Sequence, residues 1–159
     1  MAKENRVLSE EDLIKLIPRA IVWAQDQEQQ ILQNGVPLSN TQLEDARIIS
    51  LKCPEKVRLL NVNQIPLPED PELKLAAQAI GLITPNTIGL TLQYGIFIRT
   101  DHWNDRGTVR HELVHTSQYE RLGGVQQFLN QYLIECMQFG YPNGPLEQEA
   151  ITRGKSILT

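Results

Sequence analysis

Two of the three histidines in this 159-residue chain fall four positions apart, in the run Arg110-His111-Glu112-Leu113-Val114-His115-Thr116-Ser117-Gln118. That spacing is useful only on a helix, where residues i and i+4 stack on one face and two imidazoles can grip one metal ion. Glu112 then lies about 100° round the cylinder from His111. It flanks the metal, in the place of a base acting on metal-bound water. A shuffled chain of this composition would show this H-E-x-x-H pattern on the order of once in two hundred times, so the pattern carries information. The plain alternative is a helix bearing two solvated histidines and a glutamate.

The length suits one domain that buries roughly two thirds of its unfolded surface. Hydrophobic residues make up 41% and charged residues 21%, ordinary for a globular domain. A net charge of −4 supplies no pull towards nucleic acid or anionic lipid. No window approaches the unbroken apolar length of a membrane span, and Met1 to Arg6 opens no signal core, so a cytoplasmic location is expected. Cys53 and Cys136 are too few and too far apart for a disulfide scaffold.

Along the chain, Ser9 with Asp12 starts a helix whose apolar positions run from Leu13 to Leu32, with Pro18 either kinking it or opening a second helix. Asn34-Gly35-Val36-Pro37 ends it. Thr41-Gln42-Leu43-Glu44 reads as a capping box for a helix to about Leu51, and Val57 to Val62 as a strand. Asp70 and Pro71 open a helix closed by Gly81. Ile88, Leu90 and Leu92 alternate with Gly89, Thr91 and Gln93, a strand with one buried face, and Ile96 to Arg99 completes a hairpin. The metal helix follows, capped by Asn104 or Asp105. Beyond Gly123-Gly124, a helix carries the cleanest amphipathic stripe, with Phe128, Leu129, Tyr132, Leu133, Cys136 and Phe139. Pro145 opens the last helix, Leu146 to about Leu158.

A catalytic zinc site normally has three protein ligands and leaves the fourth position to water. On the last helix, Ala150, Ile151, Gly154 and Leu158 form one apolar stripe, edged by Leu146 and Ile157. Glu147 falls in its middle. A carboxylate aimed into a core is costly unless it is paired or metal-bound, which makes Glu147 the third ligand. Glu149, on the opposite side with Arg153 at i+4, is the alternative, or a solvated partner of that arginine. Gln118 shares the His111–His115 face and is placed either to orient a ligand or to lie as a surface amide. His102, Tyr119 and Tyr141 are the candidates for a donor to a substrate oxygen. Tyr132 and Cys136 read as core.

With these residues in place, the chain resembles the gluzincin metallopeptidases. More narrowly, it is similar to small bacterial domains with a His-Glu-Leu-x-His-x-x-Gln helix (here His111 to Gln118) and a later Glu-x-Glu-Ala segment (Glu147 to Ala150), including modules found beside bacterial injection systems and toxins. The likeness covers roughly Ile88 to Gly154. It implies a zincin-like core, with a small sheet whose edge strand accepts extended peptide, packed on the metal helix, and with Glu147 on the zinc. Related sequences often continue Glu-Ala with Asp as an outer partner of a histidine. This chain has Ile151, so that support must come from elsewhere.

The expectation is therefore a single α+β domain with a zincin-like architecture, mainly helical, with a small mixed or antiparallel sheet beside the metal helix. Residues 1–83 supply the N-terminal helices and one strand, and residues 84–159 the zincin-like core. His111, His115 and Glu147 hold Zn2+, and Glu112 is the general base of a small metallopeptidase acting on peptide or protein, with Ile96 to Arg99 aligning the substrate by strand addition. The rival expectation is a non-catalytic zinc module whose fourth position is filled by His102 or a cysteine. A helical interaction module with no metal is the third. The N-terminal helices, outside the likeness, are placed to cover the cleft as a built-in inhibitor.

Overall fold

The computed structural model describes residues 8–156. Among them are six α-helices and a four-stranded sheet, a mixed α+β fold. Helix α1 (Glu10–Asn34) is capped by Ser9, whose hydroxyl accepts from the Asp12 amide at 3.1 Å while the Asp12 carboxylate accepts from the Ser9 amide. It runs on through Pro18 as one helix. Strand β1 (Val36–Pro37) leads to α2 (Asn40–Ile49). The expected Thr41 cap is displaced two residues upstream. Ser39 and Gln42 satisfy each other's backbone amides, at 3.2 and 2.8 Å, and form the same box one half-turn earlier.

Strand β2 (Arg58–Val62), helix α3 (Pro71–Ala79, capped by Asp70), and the hairpin of β3 (Gly89–Leu92) and β4 (Gly95–Arg99) follow. Helix α4 (Arg106–Leu122) is capped by Asp105, then come α5 (Val125–Phe139) and α6 (Pro145–Ser156). Ile157 and Leu158, the expected end of α6, lie outside the described residues. No described helix is long and apolar enough to cross a membrane.

The sheet order is β1-β2-β4-β3, with β2 and β4 parallel and the outer pairs antiparallel. Strand β4 is thus interior and paired along both edges. It has no edge to offer a peptide, so the expected strand addition at Ile96 to Arg99 does not fit this sheet. The outer strand on the metal-helix side is β3.

Side chains alternate across the sheet and build two cores. Leu59, Ile96 and Ile98 face Val109, Leu113 and Val114 of α4, with α2 and Ala150 of α6 behind. On the other face, Phe97 and Leu92 pack with Ile31 and Ala24 of α1 and with Phe128 of α5. The polar face expected for β3 is also covered, because Thr91 is only 5% exposed beneath α4. Helix α1 approaches the hairpin so closely that a Cβ on Gly95 would lie 2.9 Å from the Ile31 Cβ. Glu28 of α1 clamps the same turn by accepting from the Tyr94 amide at 3.0 Å.

Gly95→Ala is expected to destabilise the fold by about 1–3 kcal/mol through overpacking. Thermal unfolding monitored by circular dichroism checks this. An unchanged melting temperature would show that α1 yields freely at this contact.

Candidate metal centre

Helix α4 is polar by composition yet buried almost all round, so its polar side chains must find partners within the protein. Thr116 donates to the Gln93 carbonyl at 2.8 Å and the Tyr119 hydroxyl to the Thr91 carbonyl at 3.0 Å, which ties the helix across the edge of β3. Glu120 accepts from the Lys52 and Cys53 amides and from the Tyr94 hydroxyl. These bonds fix the height and rotation of α4 against the sheet.

Helix α6 then crosses α4 at close range. A Cβ on Gly154 would lie 3.2 Å from the His111 Cα, and Ala150 is fully buried in the seam. Small residues there let Glu147, one turn before Ala150, reach the histidines. Its Oε2 lies 2.7 Å from His111 Nε2 and its Oε1 3.2 Å from His115 Nε2. One donor atom from each of the three residues falls within 4.8 Å of the others, a group that could hold a metal ion. The donor set, two imidazoles and a carboxylate, has the chemistry of a site for a borderline divalent ion such as zinc.

Two of the three donors, His115 and Glu147, are steered from behind. Gln118 donates through its amide nitrogen to the Leu146 carbonyl (2.8 Å) and to Glu149 (2.9 Å), so its oxygen is left to accept from His115 Nδ1 at 2.8 Å. This leaves Nε2 of His115 as the nitrogen that faces the centre. The Tyr132 hydroxyl donates to Glu147 Oε1 at 2.5 Å. Tyr132 is core, as its stripe implies, but its oxygen also serves the site. Burial would raise the Glu147 carboxyl, and the hydrogen bonds and charges of His111 and His115 together outweigh it and hold that group well below the usual carboxylate range. Burial likewise opposes charge on His115, yet its bond to Glu147 and the nearby carboxylates push it up to about 9. The pocket therefore favours positive charge beside Glu147.

Glu112 stands next to this group and outside it. Its Oε1 accepts from the Thr91 hydroxyl at 2.8 Å, while Oε2 lies 3.9 Å from His111 Nε2. Gly89 makes room for it, since a Cβ there would meet the carboxylate at 3.0 Å. Neither Thr91 nor Gly89 was marked by sequence, because their role depends on how strand and helix register.

Glu149 is turned away, bound by Arg121 at 2.8 Å and Arg153 at 3.1 Å, and Arg121 chiefly holds its carboxyl well below the usual range. His102 sits in a short turn beside Asp105 (3.4 Å), apart from the group. Tyr119 is buried and committed to Thr91. Tyr141 alone of those three candidates lines the cleft and is exposed, and partial desolvation, followed by the charges of Glu147 and Glu112, raises its pKa and keeps it protonated. The cleft opens from His111, Glu112, His115 and Glu147 along Gly89 to Leu92, with α5 on one side and α1 and α3 on the other. Of the N-terminal helices, α1 and α3 thus form its wall, while α2 packs in the other core.

No family model, curated protein or solved structure matches this chain.

Gln118→Leu removes the acceptor for His115 Nδ1 and is expected to weaken the affinity of the group for an added divalent metal ion about 10–100-fold. Competition with a chromophoric chelator measures it. Full-strength binding would show that His115 is oriented without Gln118.

Proposed function

We propose that this protein is a zinc-dependent hydrolase, a small metallopeptidase with a zincin-like core. The observation that carries the reading is the placement of Glu112: a buried carboxylate beside the three donors, with one oxygen anchored by Thr91 and the other directed at the centre. A carboxylate in that position is not needed to complete a structural site.

His111, His115 and Glu147 would hold the ion, which when bound supplies a Lewis acid and makes water acidic enough to lose a proton near neutral pH. Glu112 takes the proton of the attacking water on Oε2 and returns it to the leaving amine. The Tyr141 hydroxyl, kept protonated, donates to the carbonyl oxygen as charge gathers on it. Substrate is aligned by β3. The Arg99 amide donates to the Ile88 carbonyl, so in this antiparallel pair the N–H and C=O of the next residue, Gly89, point away from β4 towards the cleft. The carbonyls of Thr91 and Gln93 are already taken by α4, which confines this alignment to the Gly89 end of the strand.

A purely structural zinc site would close its fourth position with a protein donor. Among the described residues the donor group contains three members, with His102 bonded to Asp105 and Cys136 buried in the apolar core. This favours the catalytic reading over the non-catalytic module.

Glu112→Gln is expected to retain zinc and to lower peptide cleavage by about 10²–10⁴-fold. Metal analysis together with cleavage of a peptide pool, with and without chelator, provides the test, and metal loss from the variant would move Glu112 into the ligand set. Tyr141→Phe is expected to lower kcat by about 10²–10³-fold with KM little changed. Equal turnover would remove Tyr141 from the reaction.

A further inference from the structure

We infer that the cleft receives the interior of an uncharged, apolar peptide segment, holding its side chains against α1 and α3 and binding neither chain terminus. The cleavage step of this inference rests on the metallopeptidase reading, whereas the binding step does not. The cleft measures about 1030 Å³ with its open mouth included. Among the described residues that line it, the charged groups are His111, Glu112, His115 and Glu147, and the proposed reaction uses all four.

That charge inventory decides between substrate classes. A carboxypeptidase must meet the terminal carboxylate with a cation, and the described lining contains no Lys or Arg. An aminopeptidase needs a spare carboxylate for the terminal ammonium, and both glutamates are committed, Glu147 to the histidines and Glu112 to Thr91 through Oε1 and to the proposed proton transfer through Oε2. Acidic side chains entering the cleft would lose water without gaining a partner. An endopeptidase acting within an apolar stretch is what remains.

The wall fits that occupant. Leu13, Ala20 and Trp23 fall at helical spacing along α1, a stripe of roughly 15 Å at the helical rise, which matches between about four and five extended residues. Ile17 and Ala24, on the same side of the helix, are sealed in the core. By contrast, Leu13, Ala20 and Trp23 stay partly exposed, as do Leu90 on β3 and Leu133 and Met137 on the facing helix α5. Apolar surface left open in a concavity, continuous with the reactive group, is a recognition surface.

Trp23 lines the cleft and reports its occupancy directly. In full-length Glu112→Gln protein carrying Trp103→Phe, which leaves Trp23 as the remaining tryptophan, emission is titrated with a peptide blocked at both ends and aliphatic at its centre. A saturable shift is expected, with binding about tenfold or more tighter than for the same peptide with central glutamates. Equal or tighter binding of the acidic peptide would overturn the inference. Met137→Arg is expected to reverse that preference, and an unaltered preference would count against the assigned wall. Zinc-loaded wild-type protein is expected to cut the blocked peptide inside its aliphatic window as fast as the unblocked one. Cleavage that needs a free terminus overturns the interior-segment claim, whereas selective binding with no cleavage upholds the cleft and defeats the metallopeptidase reading.

Discussion

Burying a carboxylate without a counter-charge costs several kcal/mol, and the seam between α4 and α6 is arranged around meeting that cost for Glu147. Glu147 is 3% exposed, and its carboxylate sits within 3.2 Å of two imidazole nitrogens. Helix α6 could approach α4 more loosely if only apolar packing were at stake. Ala150 and Gly154 remove the side chains that would hold it off, and Gly154 presses on the backbone of His111 itself. Packing and electrostatics therefore specify the same position. The close approach puts Glu147 between the histidines, and the histidines make its burial tolerable.

The same logic extends outward. A polar helix placed between a sheet and another helix has to close its hydrogen bonds internally, and α4 does so residue by residue. Thr116 and Tyr119 spend their hydroxyls on the hairpin of β3 and β4, Gln118 bridges α6, and Glu120 gathers two loop amides and Tyr94. Arg110 is the exception. Its Nε donates to the Gly154 carbonyl, but Nη1 is buried without a hydrogen-bond partner, 4.0 Å from Asp45. Arg106 takes Asp45 in a two-pronged bond, so the nearest acceptor is already engaged. The cation nonetheless sits directly behind the closest contact of α6, where it fixes the end of that helix by its carbonyl.

Much of the centre was legible in the sequence because it depends on helical period. His111, His115, Gln118 and Glu147 follow from residues three and four apart and from the place of one carboxylate in an apolar stripe, and α4 and α6 are regular enough for that projection to hold. What the sequence did not disclose depends on which element lies against which. Thr91 reads as the solvent-facing side of a strand, and only the passage of α4 over β3 turns it into the partner of Glu112. Tyr132 has the signature of a core ring, and its hydroxyl matters because the end of α6 happens to be opposite. The interior place of β4 was hidden for the same reason. A hairpin is local, but the parallel pairing of β4 with β2 joins segments some forty residues apart, and nothing in either strand announces the other.

That pairing also bears on the division of the chain. The resemblance read from the His111-to-Gln118 motif reaches back only to about Ile88, yet the residues before it are not an appendage. Strand β2 completes the sheet, Ile31 and Ala24 of α1 share a core with Phe97 and Phe128, and Glu28 caps the hairpin turn. A segment bonded in this way cannot swing off the cleft as a lid without breaking the fold. Under the proposed reading the two stretches divide the labour. Residues from β3 onward assemble the reactive group, which tolerates little change in geometry, while α1 and α3 present a surface of interchangeable apolar side chains whose composition can vary without disturbing the donors. Specificity on such a scaffold is free to drift while the chemistry stays fixed, because the two are carried by different side chains of one cleft.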